Sequence, residues 1–129
     1  MNYPIRYLLD SDILVEFLRG REEAMRYLND LDGDLLVSVI TIAELFAGAR
    51  NDTEGQVLDE FLSTLAAIPV DRIIAERGGR YRQQYKHSHG TGLDDALIAA
   101  TAEVMQLRLV TFNQRHFPMI SNLLVPYER

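Results

Sequence analysis

Five carboxylates stand where the chain changes from one kind of segment to another: Asp10 and Asp12 in "YLLDSDILVEFL" (residues 7–18), Glu44 in "TIAE" (41–44), and Asp94 and Asp95 ahead of "ALIAATA" (96–102). Most have an ordinary structural use. Asp12 can cap a helix that follows it, a contribution of about 1 kcal/mol. "TIAE" has the pattern of a capping box, with Thr41 capping the third helical N–H and Glu44 reaching back. Asp94 and Asp95 suit a helix N-terminus and its dipole. Asp10 differs, because it ends an apolar run headed for the middle of a sheet, where an unpaired charge is costly.

Crowding these groups has a chemical consequence. Two carboxylates ~5 Å apart at an effective dielectric of ~20 repel by about 3 kcal/mol, so several together require raised pKa values or a cation. The chain has one lysine, Lys86, to serve as that cation. Oxygen ligands without cysteine, and without an H-x-x-x-H spacing, select Mg²⁺ or Mn²⁺ over zinc. His87 and His89 read as a surface pair, and His116 in "NQRHF" as structural or peripheral, away from the acids.

The elements that must position these residues follow from hydrophobic periodicity. Strands are predicted at 5–10, 35–39, 67–70, 108–111 and 122–125, with helices at 12–19, 21–31, 41–50, 53–66, 71–88 and 94–106. Strands alternating with helices imply crossover connections and a mainly parallel sheet covered on both faces. Ligands of such sheets bind outside the carboxyl ends of the strands. Asp10 ends the first strand, Glu44 lies in the helix after the second, and Thr111 and Asn113 follow a later one, so several of these groups are expected on one edge.

Size and composition set the frame. A chain of 129 residues with 47% hydrophobic and 25% charged residues and no low-complexity tract is expected to form a single domain, residues 1–129, around one core. Zero cysteines exclude a disulfide framework and a thiolate metal site. The start "MNYPIRYLLD" lacks the layout of a signal peptide, and the nine-residue apolar run "LLVSVITIA" falls short of the ~20 residues that span a bilayer. A soluble, cytoplasmic protein is the expectation. The net charge of −6 argues at first against a nucleic-acid partner. Location matters more than the sum: Arg72, Arg77, Arg80, Arg82 and Lys86 fall in one segment against a single acid, Glu76. That segment reads as a solvated helix face or as a surface for phosphate. Setting aside Asp10, Asp12, Glu44 and Asp95 reduces nineteen acids to fifteen against thirteen bases, so much of the charge belongs to the cluster itself.

Four motifs in order, "YLLDSDIL" (7–14), "SVITIAELFAGA" (38–49), "LDDALIAATA" (93–102) and "LVTFNQRHFPMI" (109–120), span nearly the whole chain. Together they resemble the PIN-domain ribonucleases, specifically the VapC-type toxins of toxin–antitoxin pairs. The resemblance implies a three-layer α/β/α fold with a short, mainly parallel central sheet and a metal-dependent endoribonuclease that leaves 5′-phosphate and 3′-hydroxyl ends. It matches Asp10, Glu44 and Asp95 to the family's three acids, which with Asp12 and Asn113 would hold Mg²⁺ or Mn²⁺ directly or through water. Asn113 stands where the family often carries a fourth acid, and Asp12 where it shows Asn, Ser or Asp. Ser11, Thr111 and Asp94 fall in supporting positions.

The resemblance further implies an RNA substrate, a VapB-like antitoxin whose tail occludes the site, and a homodimer. Apolar residues of the helices at 21–31 and 53–66 (Met25, Leu28 and Leu31; Val57, Phe61, Leu62 and Leu65) could serve an interface, although core burial accounts for most of them. Two other readings compete. A haloacid-dehalogenase-like phosphatase shares a strand followed by Asp-x-Asp, but wants a lysine and a longer core. A degenerate PIN module would bind RNA or a partner without cleaving, and Asn113 is its best support.

Overall fold

The computed structural model describes residues 4–129. Its elements run β1 (Arg6–Leu9), α1 (Ser11–Leu18), α2 (Glu22–Asp30), β2 (Asp34–Ser38), α3 (Val39–Ala47), α4 (Asp52–Leu62), β3 (Ala66–Ile68), α5 (Arg72–Tyr85), α6 (Leu93–Val104) and β4 (Arg108–Val110), with a 3₁₀ turn over Gln114–His116. The strands form one sheet in the order β3-β2-β1-β4, and every neighbouring pair is parallel. The carboxyl ends of β1, β2 and β4 therefore share one edge.

Side chains alternate along each strand and, in place of the one core expected, build two, one on each sheet face. Tyr7, Leu9, Val37 and Val110 pack with Ile13, Leu14, Leu28, Leu45 and Leu58 beneath α1 to α4. Leu8, Leu36 and Leu109 pack with Ile98, Ala99, Ala102 and Phe117 beneath α6. Leu8 pairs in register with both Leu36 and Leu109, so three leucines line up on the second face. With both faces covered, the strands read as unbroken apolar runs, as buried parallel strands do. The expected three layers are present, and no helix among the described residues is long and apolar enough to cross a membrane.

Three expectations are corrected. The helix after β1 starts one residue earlier, and its N-cap is Asp10, whose carboxylate accepts a hydrogen bond from the Ser11 N–H at 2.8 Å. Asp12 is thus inside the first turn and free for another use. The helix after β2 also begins early, at Val39, because Ser38 ends the strand in extended backbone and its hydroxyl accepts from the Ile40 N–H at 3.0 Å. Thr41 and Glu44 consequently lie within α3, and no capping box forms. Finally, the segment at 122–125 makes a single parallel bridge, Val110 to Leu124, rather than a strand. Leu124 spends both backbone groups on the Leu109 carbonyl and the Thr111 N–H, and Pro126 beyond it has no N–H to extend a ladder.

Candidate active site

The strand-to-helix switch at Leu9–Ser11 leaves no room for a loop, so Asp10 stays at the sheet edge with only 6% of its surface exposed. β4 runs beside β1 and ends at the same level, and it answers Asp10 with Thr111. The fully buried Thr111 hydroxyl lies 2.8 Å from Asp10 Oδ2 and 3.1 Å from Asp12 Oδ2. Asp12 is further held by N–H donors from Ile13 at 2.7 Å and Phe112 at 2.9 Å. Its carboxylate therefore ties α1 to the chain leaving β4.

Burial pushes the Asp10 carboxyl up to about 7, helped by the neighbouring Asp12 and Asp95 charges and opposed by Thr111 and the Ser11 N–H. Asp12 is raised by burial and Asp95 by burial and the Asp94 charge. Glu44 projects from the second turn of α3, half-buried, toward the start of α6. There it faces Asp94, and burial, Asp94, Asp10 and Asp95 together push it up to about 8. Its Oε1 is buried with no hydrogen-bond partner, although a protonated Glu44 lies within bonding reach of Asp94. The α3 and α6 helices thus aim Glu44, Asp94 and Asp95 at the edge where β1 delivers Asp10.

α6 starts from Gly92, which has no side chain to cap the helix; the Gly92 N–H instead faces the carboxylate of Asp95, three residues on. Asp95 has a further partner: its Oδ2 lies 3.0 Å from His116 Nδ1. The Asn113 side-chain amide lies 2.7 Å from the same ring nitrogen, and the Asn113 N–H donates to the Thr111 hydroxyl at 3.1 Å. His116, which from sequence reads as structural or peripheral and away from the acids, belongs to this edge. The only sequence signal for it was the i, i+3 spacing from Asn113 in "NQRH", which the 3₁₀ turn converts into a contact.

All the donors are oxygen atoms apart from the His116 ring and the Asn113 amide nitrogen. Among the described residues, no group of three or more acidic or histidine side chains is drawn together tightly enough to hold an ion. An orphaned buried carboxylate oxygen beside other raised carboxyls is nevertheless what a hard dication would relieve, and Mg²⁺ characteristically keeps several waters and takes one or two carboxylates. The residues fit such an ion. Asp10, Glu44 and Asp95 are the groups able to hold it, while Asp12 and Asn113 are engaged with Phe112, Thr111 and His116.

The basic segment is divided by the fold. Gly78 abuts Leu97, Arg77 pairs with Glu103 late in α6 at 3.6 Å, and Arg82 donates to the Thr91 carbonyl just before α6 at 3.0 Å. α5 therefore runs antiparallel to α6. Arg82 and Lys86 lie at the acidic end, whereas Arg72, paired with Glu76 at 3.0 Å, and Arg77 lie toward the other. Arg77 joins Arg6 and Arg108 around a cavity of about 970 Å³ at the amino ends of the strands. Arg80 is exposed on α5.

Comparison with known proteins places this arrangement in context. The family model described as PIN domain matches residues 7–121. Ribonuclease VapC10 of Mycobacterium tuberculosis is 41% identical over 123 residues, which cover 93% of this chain and 92% of that protein. Ribonuclease VapC19 of the same organism is 40% identical over 125 residues, 93% of this chain and 98% of the relative. Among solved structures, a toxin–antitoxin complex from Klebsiella pneumoniae contains a chain that superposes with a TM-score of 0.83 at 36% identity, covering 95% of this chain and 99% of that one. VapBC2 from Rickettsia felis, solved bound to a DNA fragment from its promoter, gives 0.76 at 26% identity over 93% of this chain and 96% of that one.

Proposed function

Because the chain belongs to the PIN-domain family, we propose that it is a Mg²⁺- or Mn²⁺-dependent endoribonuclease, a toxin held in check by a VapB-like antitoxin. The observation that carries this reading is the placement of Asp10, Glu44, Asp94 and Asp95 along the carboxyl edge of the sheet, near enough for their charges to act on one another, with Glu44 Oε1 buried and unpaired. A bound divalent ion supplies a Lewis acid that makes water nucleophilic near neutral pH and offsets charge developing on the phosphate.

The chain's own residues then have separate tasks. Asp10, Glu44 and Asp95 hold the ion, directly or through water. Thr111 fixes the Asp10 carboxylate, Asp12 keeps the end of β4 against α1, and Ser11 donates its N–H to Asp10. Asp94 adds negative charge beside Glu44 and Asp95. Arg82 and Lys86 flank the acidic edge and are the basic residues of α5 best placed for RNA phosphates; Arg72, Arg77 and Arg80 would meet only RNA that extends along the helix. Cleavage leaves 5′-phosphate and 3′-hydroxyl ends.

The antitoxin is supported by the likeness to a chain of the Klebsiella pneumoniae toxin–antitoxin complex and by a groove of about 910 Å³ that starts at Glu44 and passes Ser11, Val15, Leu45 and Val57. A segment lying there would cover the acids. A homodimer has support in Met25 and Val57, 46% and 51% exposed. Leu28 is buried in the core and is not available for it.

Incubation of the purified protein with RNA and Mg²⁺, with end analysis of the products, tests the activity. Asp10→Asn should abolish cleavage while leaving the metal-free protein folded. Cleavage that persists in EDTA, or in Asp10→Asn, would overturn the reading.

A further inference from the structure

His116 is held at both its backbone and its ring, with 34% of its side chain exposed. Its carbonyl accepts from the fully buried Thr91 hydroxyl at 2.9 Å, and Arg82 holds the Thr91 carbonyl in turn. Gly90 has φ +66, a conformation for which glycine is suited, and a Cβ built there would lie 3.5 Å from His116 Nε2. The His116 Nδ1 faces both Asp95 Oδ2 at 3.0 Å and the Asn113 amide at 2.7 Å. One ring nitrogen cannot donate to a carboxylate and also accept from an amide N–H. Turning the Asn113 amide over satisfies both neighbours: Nδ1–H lies between two acceptors, the Asp95 carboxylate and the Asn113 oxygen.

We infer that His116, oriented by Asn113 and Thr91, is a positioning residue that holds the Asp95 carboxylate in the orientation needed for divalent-ion binding. Ligating carboxylates are commonly held by such outer partners, whose removal typically costs about 10- to 100-fold in metal affinity. The contact closes a chain of hydrogen bonds from Asp10 through Thr111, Asn113 and His116 to Asp95. The two acids delivered by β1 and α6 are thereby set relative to each other through the residues that follow β4. This inference rests on the metal-dependent reading above, and it concerns the ring nitrogen rather than the charge of the histidine.

The test is Mn²⁺ binding to the metal-free full chain, followed by electron paramagnetic resonance, for wild type, Asp10→Asn, His116→Ala, His116→Asn and His116→Gln. The Asn Nδ2 occupies the bonded position of His Nδ1, whereas the Gln Nε2 lies one bond further out. His116→Ala and His116→Gln should weaken Mn²⁺ binding by about 10- to 100-fold, and His116→Asn should restore it to within about threefold of wild type. With RNA at saturating Mn²⁺, KM should be unchanged in all three. Should His116→Ala fail to fold, the comparison of the Asn and Gln variants carries the test. Mn²⁺ affinity unaltered in His116→Ala, or equal in His116→Asn and His116→Gln, overturns the proposal while a loss in Asp10→Asn upholds the metal site. Absence of Mn²⁺ binding in wild type overturns both.

Discussion

Thr111 donates its hydroxyl to Asp10 Oδ2 at 2.8 Å across 101 residues of sequence, and the bond is wholly buried. Parallel pairing of β1 with β4 makes this possible, because it brings the ends of two strands to one level. The same oxygen accepts the Asn113 N–H. Thr111→Val preserves shape but removes the donor from Asp10 and the acceptor from Asn113. A loss of about 1–3 kcal/mol is expected, measured by denaturant unfolding of the metal-free protein at pH 7. Thr111→Ser should recover most of it, and equal stability of Val and wild type would show that the bond contributes nothing.

Stability should also report the acids. The folded-state pKa values of Asp10 and Glu44 are raised, to about 7 and about 8. Between their ordinary values near 4 and these raised ones the folded state binds more protons than the unfolded state. The contribution of this pair is therefore full below about pH 4 and is lost as pH rises through 7 to 8. A dication acts in the opposite sense, since it binds the ionised carboxylates. The rise in Tm produced by Mg²⁺ should be larger at pH 8 than at pH 5, and Asp10→Asn should melt higher than wild type at pH 8 without metal. A Mg²⁺ effect that shrinks as pH rises contradicts this assignment.

Much of this edge was legible before the fold was known, because each strand ends in a recognisable change of periodicity and the acids fall at those changes. Asp10, Glu44 and Asp95 needed only parallel strands to converge. Contacts that depend on exact turn geometry were not legible. His116 reaches Asp95 through a 3₁₀ turn whose sequence, "NQRHF", carries no apolar period. The basic residues of α5 look like one patch in sequence, but the antiparallel packing of α5 on α6 separates Arg82 and Lys86 from Arg72 and Arg77. The segment around Leu124 has strand composition yet finds only one bridge.

That separation predicts different roles in RNA binding. Lys86 is exposed near the acidic end, and Arg72 is exposed toward the opposite one and already paired with Glu76. Lys86→Gln should lower RNA affinity and reduce the slope of log K against log salt by about 1. Arg72→Gln should leave the slope unchanged. Equal slopes for both variants and wild type, measured by fluorescence anisotropy with Ca²⁺ replacing Mg²⁺, would remove Lys86 from the interface.

The start of α3 provides a test of how the acidic edge is framed, since it sets where Glu44 points. Sequence favoured Thr41 as the cap, three residues before a glutamate. In the fold Ser38 does this work, being the first residue beyond the apolar part of β2 with a side-chain oxygen, and Thr41 is carried into the helix. There its Oγ1 is buried without a partner. Ser38→Ala removes the acceptor of the Ile40 N–H and should cost about 1 kcal/mol, or about 3–5 °C in Tm for a chain of this size. Thr41→Val discards a hydroxyl that gains nothing from burial, so it should be neutral or stabilising by up to about 1 kcal/mol. A capping box would reverse the order, with the Thr41 variant melting lower than the Ser38 variant.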